Sequence, residues 1–307
     1  MSGLPDLCAR LVAAADEHAL QVMGFHKDDA ADVQRAITAA LHDSERLADL
    51  DVMTRHLRSG IGAIERTNAF DHPAATSTWR GVGVLPMLAL LASADDVRAF
   101  HRSRGIPAAL SDRALSDLGQ QVWVHRRTYG AFGLDTYQWM TLAFSGNLYW
   151  LGRLQFNLVA RADGWALSTH IPETGPLTPE SVDDSFDRAA AFFAQHFPDY
   201  PATRFHCGSW LLDPQLAEVL RPDSNVVRFQ QRWTLEGEPH PADADAIYFV
   251  FRKRGEPDRS TLPRDTSLQR AILDKLDAGG HWYLWNGTID HVGRTRTHPA
   301  ATPPDDE

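Results

Sequence analysis

The spacing of apolar residues changes near residue 130. That change limits the chain to folds with a helical part followed by a strand-bearing part. Before it, Leu4, Leu7, Cys8, Leu11 and Ala15 recur at helical spacing and share one face. Segments 31–41 and 47–57 continue this texture, with acidic or polar residues between them. Segments 94–100 and 111–125 are two further helices. Ser111 and Asp112 can cap the second, and Leu115, Leu118 and Val122 form its apolar stripe. Gly130 and Gly133 punctuate the change, and 134–144 reads as one more helix. Beyond it, 148–159, 165–171, 203–212, 226–235, 247–252 and 281–289 are strand-like. Helices at 179–197 and 267–277, and a shorter one at 215–220, separate them. The tail 296–307 is Pro-rich and acidic and is expected to be disordered. The expected fold class is α+β: a helix-rich domain over 1–130, then a mixed sheet flanked by helices over 131–295.

The chain of 307 residues is long enough for one large domain or two ordinary ones. Its 43% hydrophobic and 23% charged content is a soluble, globular profile. A net charge of −10 argues against nucleic acid or an anionic membrane as a partner. Cys8 and Cys207 stand far apart with no C-x-x-C, which argues against a disulfide framework or a thiolate zinc site. The histidines are scattered and there is no H-E-x-x-H, so no metal site is expected. The N-terminus lacks a basic region followed by a long apolar core. The apolar stretch 82–92 is too short to span a bilayer and is interrupted by Gly83 and Pro86. These features predict a cytoplasmic protein.

The stretch 169–182, THIPETGPLTPESV, carries the densest local information. An apolar run ends in His170, and Pro172 stops the strand because it has no N–H to donate. Gly175-Pro176 is a turn signal, and Thr178-Pro179 is a cap followed by proline at the first helical position. Strand, tight loop and helix start therefore follow one another. That arrangement can hold a phosphate on the backbone of Gly175, Pro176, Leu177, Thr178 and Ser181, or it can be an ordinary connection. Glu180, Asp183 and Asp184 place negative charge in the first turns. His170, at a strand end, can take a proton near pH 7; the plain alternative is a packed histidine bonded to a carbonyl. His206 is a second candidate, on a strand face shared with Gly208 and Trp210. Ser209, Asp213 and Cys207 are nucleophile-type residues, but the sequence around Ser209 is not a G-x-S-x-G elbow, and Asp213-Pro214 reads as a helix cap. No P-loop and no G-x-G-x-x-G is present. The aromatic residues Tyr137, Trp139, Phe144, Tyr149 and Trp150 can line an apolar pocket or simply fill the core. Arg153, Arg161, Arg228 and Arg252 lie in or beside strand-like runs and can face an anion.

The segments LGRLQF (151–156), HIPETGPLTPE (170–180), SWLLDP (209–214) and SNVVRFQQRW (224–233) resemble an actinobacterial family of two-domain acyltransferases. Its members join a helix-rich N-terminal domain to a C-terminal domain similar to the GNAT superfamily of N-acetyltransferases, and glycopeptide-antibiotic N-acyltransferases are similar to it. The resemblance covers most of 80–290. It implies a GNAT-like mixed sheet, acyl-coenzyme A as co-substrate, and a small-molecule amine, in some members an amino sugar, as acceptor. It also implies that the loop after the 165–171 strand holds the pyrophosphate; on this reading the amine attacks the thioester directly, with His170, or else His206, as the base. The loop departs from the superfamily pattern in having one glycine and no Arg or Lys. The rival expectation is a non-catalytic ligand-binding protein that keeps this fold.

Overall fold

The computed structural model describes residues 3–64 and 70–290; the expected disordered tail lies outside the described residues. Among the described residues eight α-helices come first: α1 (Leu4–Ala14), α2 (Glu17–Val22), α3 (Lys27–Leu41), α4 (Ser44–Ser59), α5 (Val84–Ser103), α6 (Ala108–Leu115), α7 (Asp117–Tyr129) and α8 (Tyr137–Phe144). Strands begin only at β1 (Tyr149–Leu151), followed by β2 (Leu154–Arg161) and β3 (Gly164–His170). Then come α9 (Pro179–His196), β4 (Ala202–Ser209), α10 (Leu216–Val219), α11 (Asn225–Gln230), β5 (Thr234–Pro241), α12 (Asp243–Phe251), α13 (Ser267–Asp277) and β6 (Tyr283–Asp290). The α+β expectation holds, as does the placing of the strands after the helical part.

Several local expectations are corrected. Within the apolar run 82–92, α5 begins at Val84 and continues through Pro86. Gly83, with φ of 66°, is the N-cap of α5, and Pro86 sits in its first turn, where its missing N–H costs nothing. The helix expected over 111–125 is two helices, and Ser111 is not a cap: it lies inside α6 and meets His101. The run 226–235 is helical up to Gln230, as α11, and becomes strand only at Thr234, where β5 begins; the run 247–252 is the end of α12. Short apolar runs carry no period that separates strand from helix. Here Ser224 caps α11 by accepting from Val227 N at 3.4 Å, and Ala246, Ile247 and Phe251 of α12 pack around Trp282.

The helices α1, α3, α4, α5, α7 and α8 surround one core, to which α5 contributes an almost continuous buried surface from Val84 to Ala94. The sheet order is β1-β2-β3-β4-β6-β5. The pair β3 and β4 is parallel, and every other described pair is antiparallel. A parallel pair needs a crossover, and α9 supplies it. Its Phe186, Phe192 and Phe193 cover the sheet face that carries Phe156, Leu167 and Phe205. A smaller core around Trp282 joins α12 and α13.

The helical part meets the sheet at His101, which is fully buried. Its Nδ1 is 2.8 Å from Ser111 Oγ, its ring lies 5.3 Å from that of Tyr149, and its Nε2 has no hydrogen-bond partner. Burial, helped by nearby Arg98, pushes the His101 pKa down from 6.5 to about 4. The unfolded chain therefore takes up this proton more readily. The contribution is present above pH 6.5 and is lost as the pH falls towards 4. It amounts to about 3 kcal/mol. Urea denaturation at pH 7.5 and pH 4.5 should show that loss, and His101→Gln should lose less over the same interval. Equal acid sensitivity of the two proteins would show that His101 is not the group responsible.

Candidate functional site

The register of β3 and β4 opens a cleft. The two strands pair from Trp165↔Ala202 to Ser168↔His206 and then part. Yet β3 continues to His170 against β2 (Gln155↔His170), and β4 continues to Ser209 against β6 (Ser209↔Trp285). Each strand keeps its outer neighbour and releases its inner one. A cavity of about 620 Å³ occupies this divergence, with Thr169, His170 and Ile171 on one side and Cys207, Gly208 and Ser209 on the other. Trp139, Trp210, Tyr248 and Phe249 add aromatic wall.

His170 ends β3 in the wall of this cavity. Its Nε2 lies 2.6 Å from Asn157 Oδ1, while Asn157 Nδ2 donates to the Leu158 carbonyl at 3.0 Å. The second bond sets the amide orientation. The first then assigns the tautomer: Nε2 carries the proton and Nδ1 the basic lone pair. The Trp139 ring meets the imidazole edge-on, with centroids 4.7 Å apart and planes at 78°. Behind them lies Asp117, 1% exposed, whose carboxyl is pushed up by burial and held down in part by hydrogen bonds from Gln121, Gln155 and Trp139.

The loop after β3 is shaped by an arginine from the β1–β2 turn. Arg153 donates to the carbonyls of Pro172 (2.8 Å), Gly175 (2.9 Å) and Pro176 (3.3 Å). Gly175 has φ of 78°, a conformation that side chains other than glycine resist. Gly175, Pro176 and Leu177 line the cavity. Thr178 caps α9 by accepting from Ser181 N at 3.3 Å, so these two residues form the helix start beside it. Of the acidic residues in the first turns, Asp183 pairs with Arg232 and Asp184 with Arg188. Positive charge reaches the loop from elsewhere. Arg252, at the end of α12, pairs with Glu173, and its buried Nε has no partner among the described residues. Arg127 lies 3.7 Å from Glu173, and Arg254 stacks 3.4 Å above the Tyr248 ring.

A solved acyltransferase bound to decanoyl-CoA matches this structure with a TM-score of 0.79 and 34% identity, over 89% of this chain and 86% of that one. An acyltransferase bound to decanoyl-CoA and teicoplanin matches with a TM-score of 0.79 and 33% identity, over the same shares. The N-acyltransferase N-terminal domain family matches residues 15–146, and the GNAT-like C-terminal domain family matches residues 148–289. The chain belongs to this family of two-domain acyltransferases. The comparison with curated proteins found no match.

Of the residues expected to form the site of this acyltransferase, His170 and the 175–177 loop come together at the cavity, and His206 does not line it. His206 shares a sheet face with His170. Its Nε2 is buried without a partner, and burial, with Arg161 nearby, lowers its pKa. Asp117, Arg127 and Arg254 were not singled out from the sequence. They sit in helical or loop segments whose spacing gives no sign of the partner they meet. Among the described residues no group of three His, Cys, Asp or Glu is placed to hold a metal ion, and no helix is long and apolar enough to cross a membrane.

The nucleophile-type residues of β4 have structural partners. Ser209 Oγ accepts from Leu211 N at 3.1 Å, and Asp213 accepts from Gln215 N at 3.1 Å and Tyr283 N at 2.8 Å. Cys207 is 1% exposed, and burial pushes its thiol up to about 12. A thiol with so little thiolate does not react. Alkylation of the native enzyme at pH 8 should spare Cys207 and reach at most the half-buried Cys8, with both thiols reacting after denaturation. Rapid labelling of Cys207 in the native protein would contradict this reading.

Proposed function

We propose that this acyltransferase moves an acyl group from acyl-coenzyme A to an amine of a small molecule, with His170 as general base. The carrying observation is the placement of His170 at the end of β3, where β3 and β4 part around the cavity. The relatives bound to decanoyl-CoA and teicoplanin support a long-chain donor and a glycopeptide-like amino-sugar acceptor. A cytoplasmic setting, where acyl-coenzyme A is available, suits such a donor.

The residues fit the donor. The edges of Thr169 to Ile171 and of Gly208, released from each other, offer backbone groups to the amides of the pantetheine arm. The pyrophosphate suits the backbone of Gly175, Pro176 and Leu177 and the start of α9 at Thr178 and Ser181. The unpartnered Nε of Arg252 fits an anionic group beside that loop. In the transfer the amine nitrogen bonds to the thioester carbonyl carbon, the carbon–sulfur bond breaks, and coenzyme A leaves as a thiolate that takes up a proton to become the free thiol. His170 Nδ1 takes the proton from the amine, and Asn157 holds the other ring nitrogen. A backbone N–H at the strand end steadies the developing oxyanion. His206 is the reserve candidate for the base.

His170→Ala should lower kcat by roughly 10²–10⁴-fold, the usual range for general-base assistance, with donor binding nearly intact; His170→Gln should behave alike. Amine-dependent release of free thiol is the assay, and near-normal turnover in a folded variant would remove His170 from the role. Arg153→Ala should loosen the loop. Hydrogen bonds from a charged donor contribute about 1.5–3 kcal/mol, so donor Kd should rise roughly 10- to 150-fold. Calorimetric titration with coenzyme A checks this, and an unchanged Kd would place the phosphates elsewhere.

A further inference from the structure

A carboxyl buried at the seam between the helical part and the sheet has no explanation in the chemistry above. Asp117 is the first residue of α7, yet it turns inward and is 1% exposed. Gln121 Nε2, one turn on, reaches its Oδ1 at 3.4 Å. The side chains of Gln155 and Trp139 also approach as donors. Among the described residues the Asp117 Oδ2 has no hydrogen-bond partner. Burying a carboxyl costs free energy unless its lone pairs are met, so this one is poorly explained as a device for stability.

Its neighbours point to another role. Gln155 is the cross-strand partner of His170, and Trp139 lies edge-on to the same imidazole at 4.7 Å. All four residues line the cavity. We propose that Asp117 is a positioning residue for acyl transfer: its carboxyl holds Trp139 and Gln155, the two side chains that flank His170. A single carboxylate oxygen accepts more than one hydrogen bond, so it can gather several donors at one point. An amide of the same shape presents an NH₂ group to one of them. The helical part thereby sets the aim of a base carried by the sheet. An error of about 1 Å in such an aim can cost 10²-fold in rate.

The inference rests on His170 being the base, and the test keeps the two apart. Asp117→Asn should lower kcat about 10- to 100-fold while leaving the donor Kd and the melting temperature close to those of the parent. Trp139→Phe keeps an aromatic edge on His170 but removes the indole N–H. If Asp117 acts through Trp139, the double variant should fall no further than the worse single one. Full turnover in folded Asp117→Asn, or losses that multiply in the double variant, overturns the inference. A purely structural role predicts a lower melting temperature with kcat per folded molecule unchanged, and this too overturns it. If Asp117→Asn does not fold, Trp139→Phe alone decides, with unchanged kcat as the overturning result. His170→Ala is run alongside: normal turnover there defeats the base assignment, whereas a loss there with full activity in Asp117→Asn defeats only the positioning role.

Discussion

The parting of β3 and β4 is the constraint on which the rest of the structure depends. Backbone groups released from a ladder are costly unless something meets them. The sheet tolerates the release because β2 and β6 still hold the outer edges of both strands. The parallel pairing follows from the α9 crossover, and the aromatic face of α9 fastens that crossover to the sheet. The loop that begins α9 must therefore lie at the mouth of the opening. The released backbone edges, the place of His170 and the helix start are consequences of one topological feature.

Charge at that mouth is arranged across the whole molecule. The loop has no cation of its own, and Arg153 is engaged with its carbonyls. Arg252 arrives from the end of α12 with φ of 56°, a left-handed conformation that costs roughly 1–2 kcal/mol for a non-glycine residue. Its pairing with Glu173 and its position over Tyr248 offset that cost. Arg127 comes to the same glutamate from the helical part. An overall charge of −10 thus coexists with a locally cationic rim.

The proposed base is likewise a product of both parts. β3 carries His170, Asn157 on β2 assigns its tautomer, and Trp139 from α8 packs its edge. A second seam contact, His101 against Tyr149, sits in the core between the parts and has no solvent access. The helical part is therefore both a structural support and a wall of the site.

Much of this was legible in the chain. The change of period near residue 130 separated helices from strands because a helix face repeats every 3.6 residues and a strand face every two. The order of His170, Pro172, Gly175-Pro176 and Thr178-Pro179 marked strand end, turn and helix start, since each of those residues restricts its own backbone. Segments 226–230 and 247–251 were not legible: short apolar and aromatic runs suit either state, and their packing decided for helix. Nor could local order show that His206 stands outside the cavity while Asp117 and Arg254 reach it. Sequence determined the elements and the loop, because propensity and capping act within a few residues. Only the tertiary structure decided which side chains meet at the cleft, because strand register and domain docking join residues up to a hundred or more positions apart.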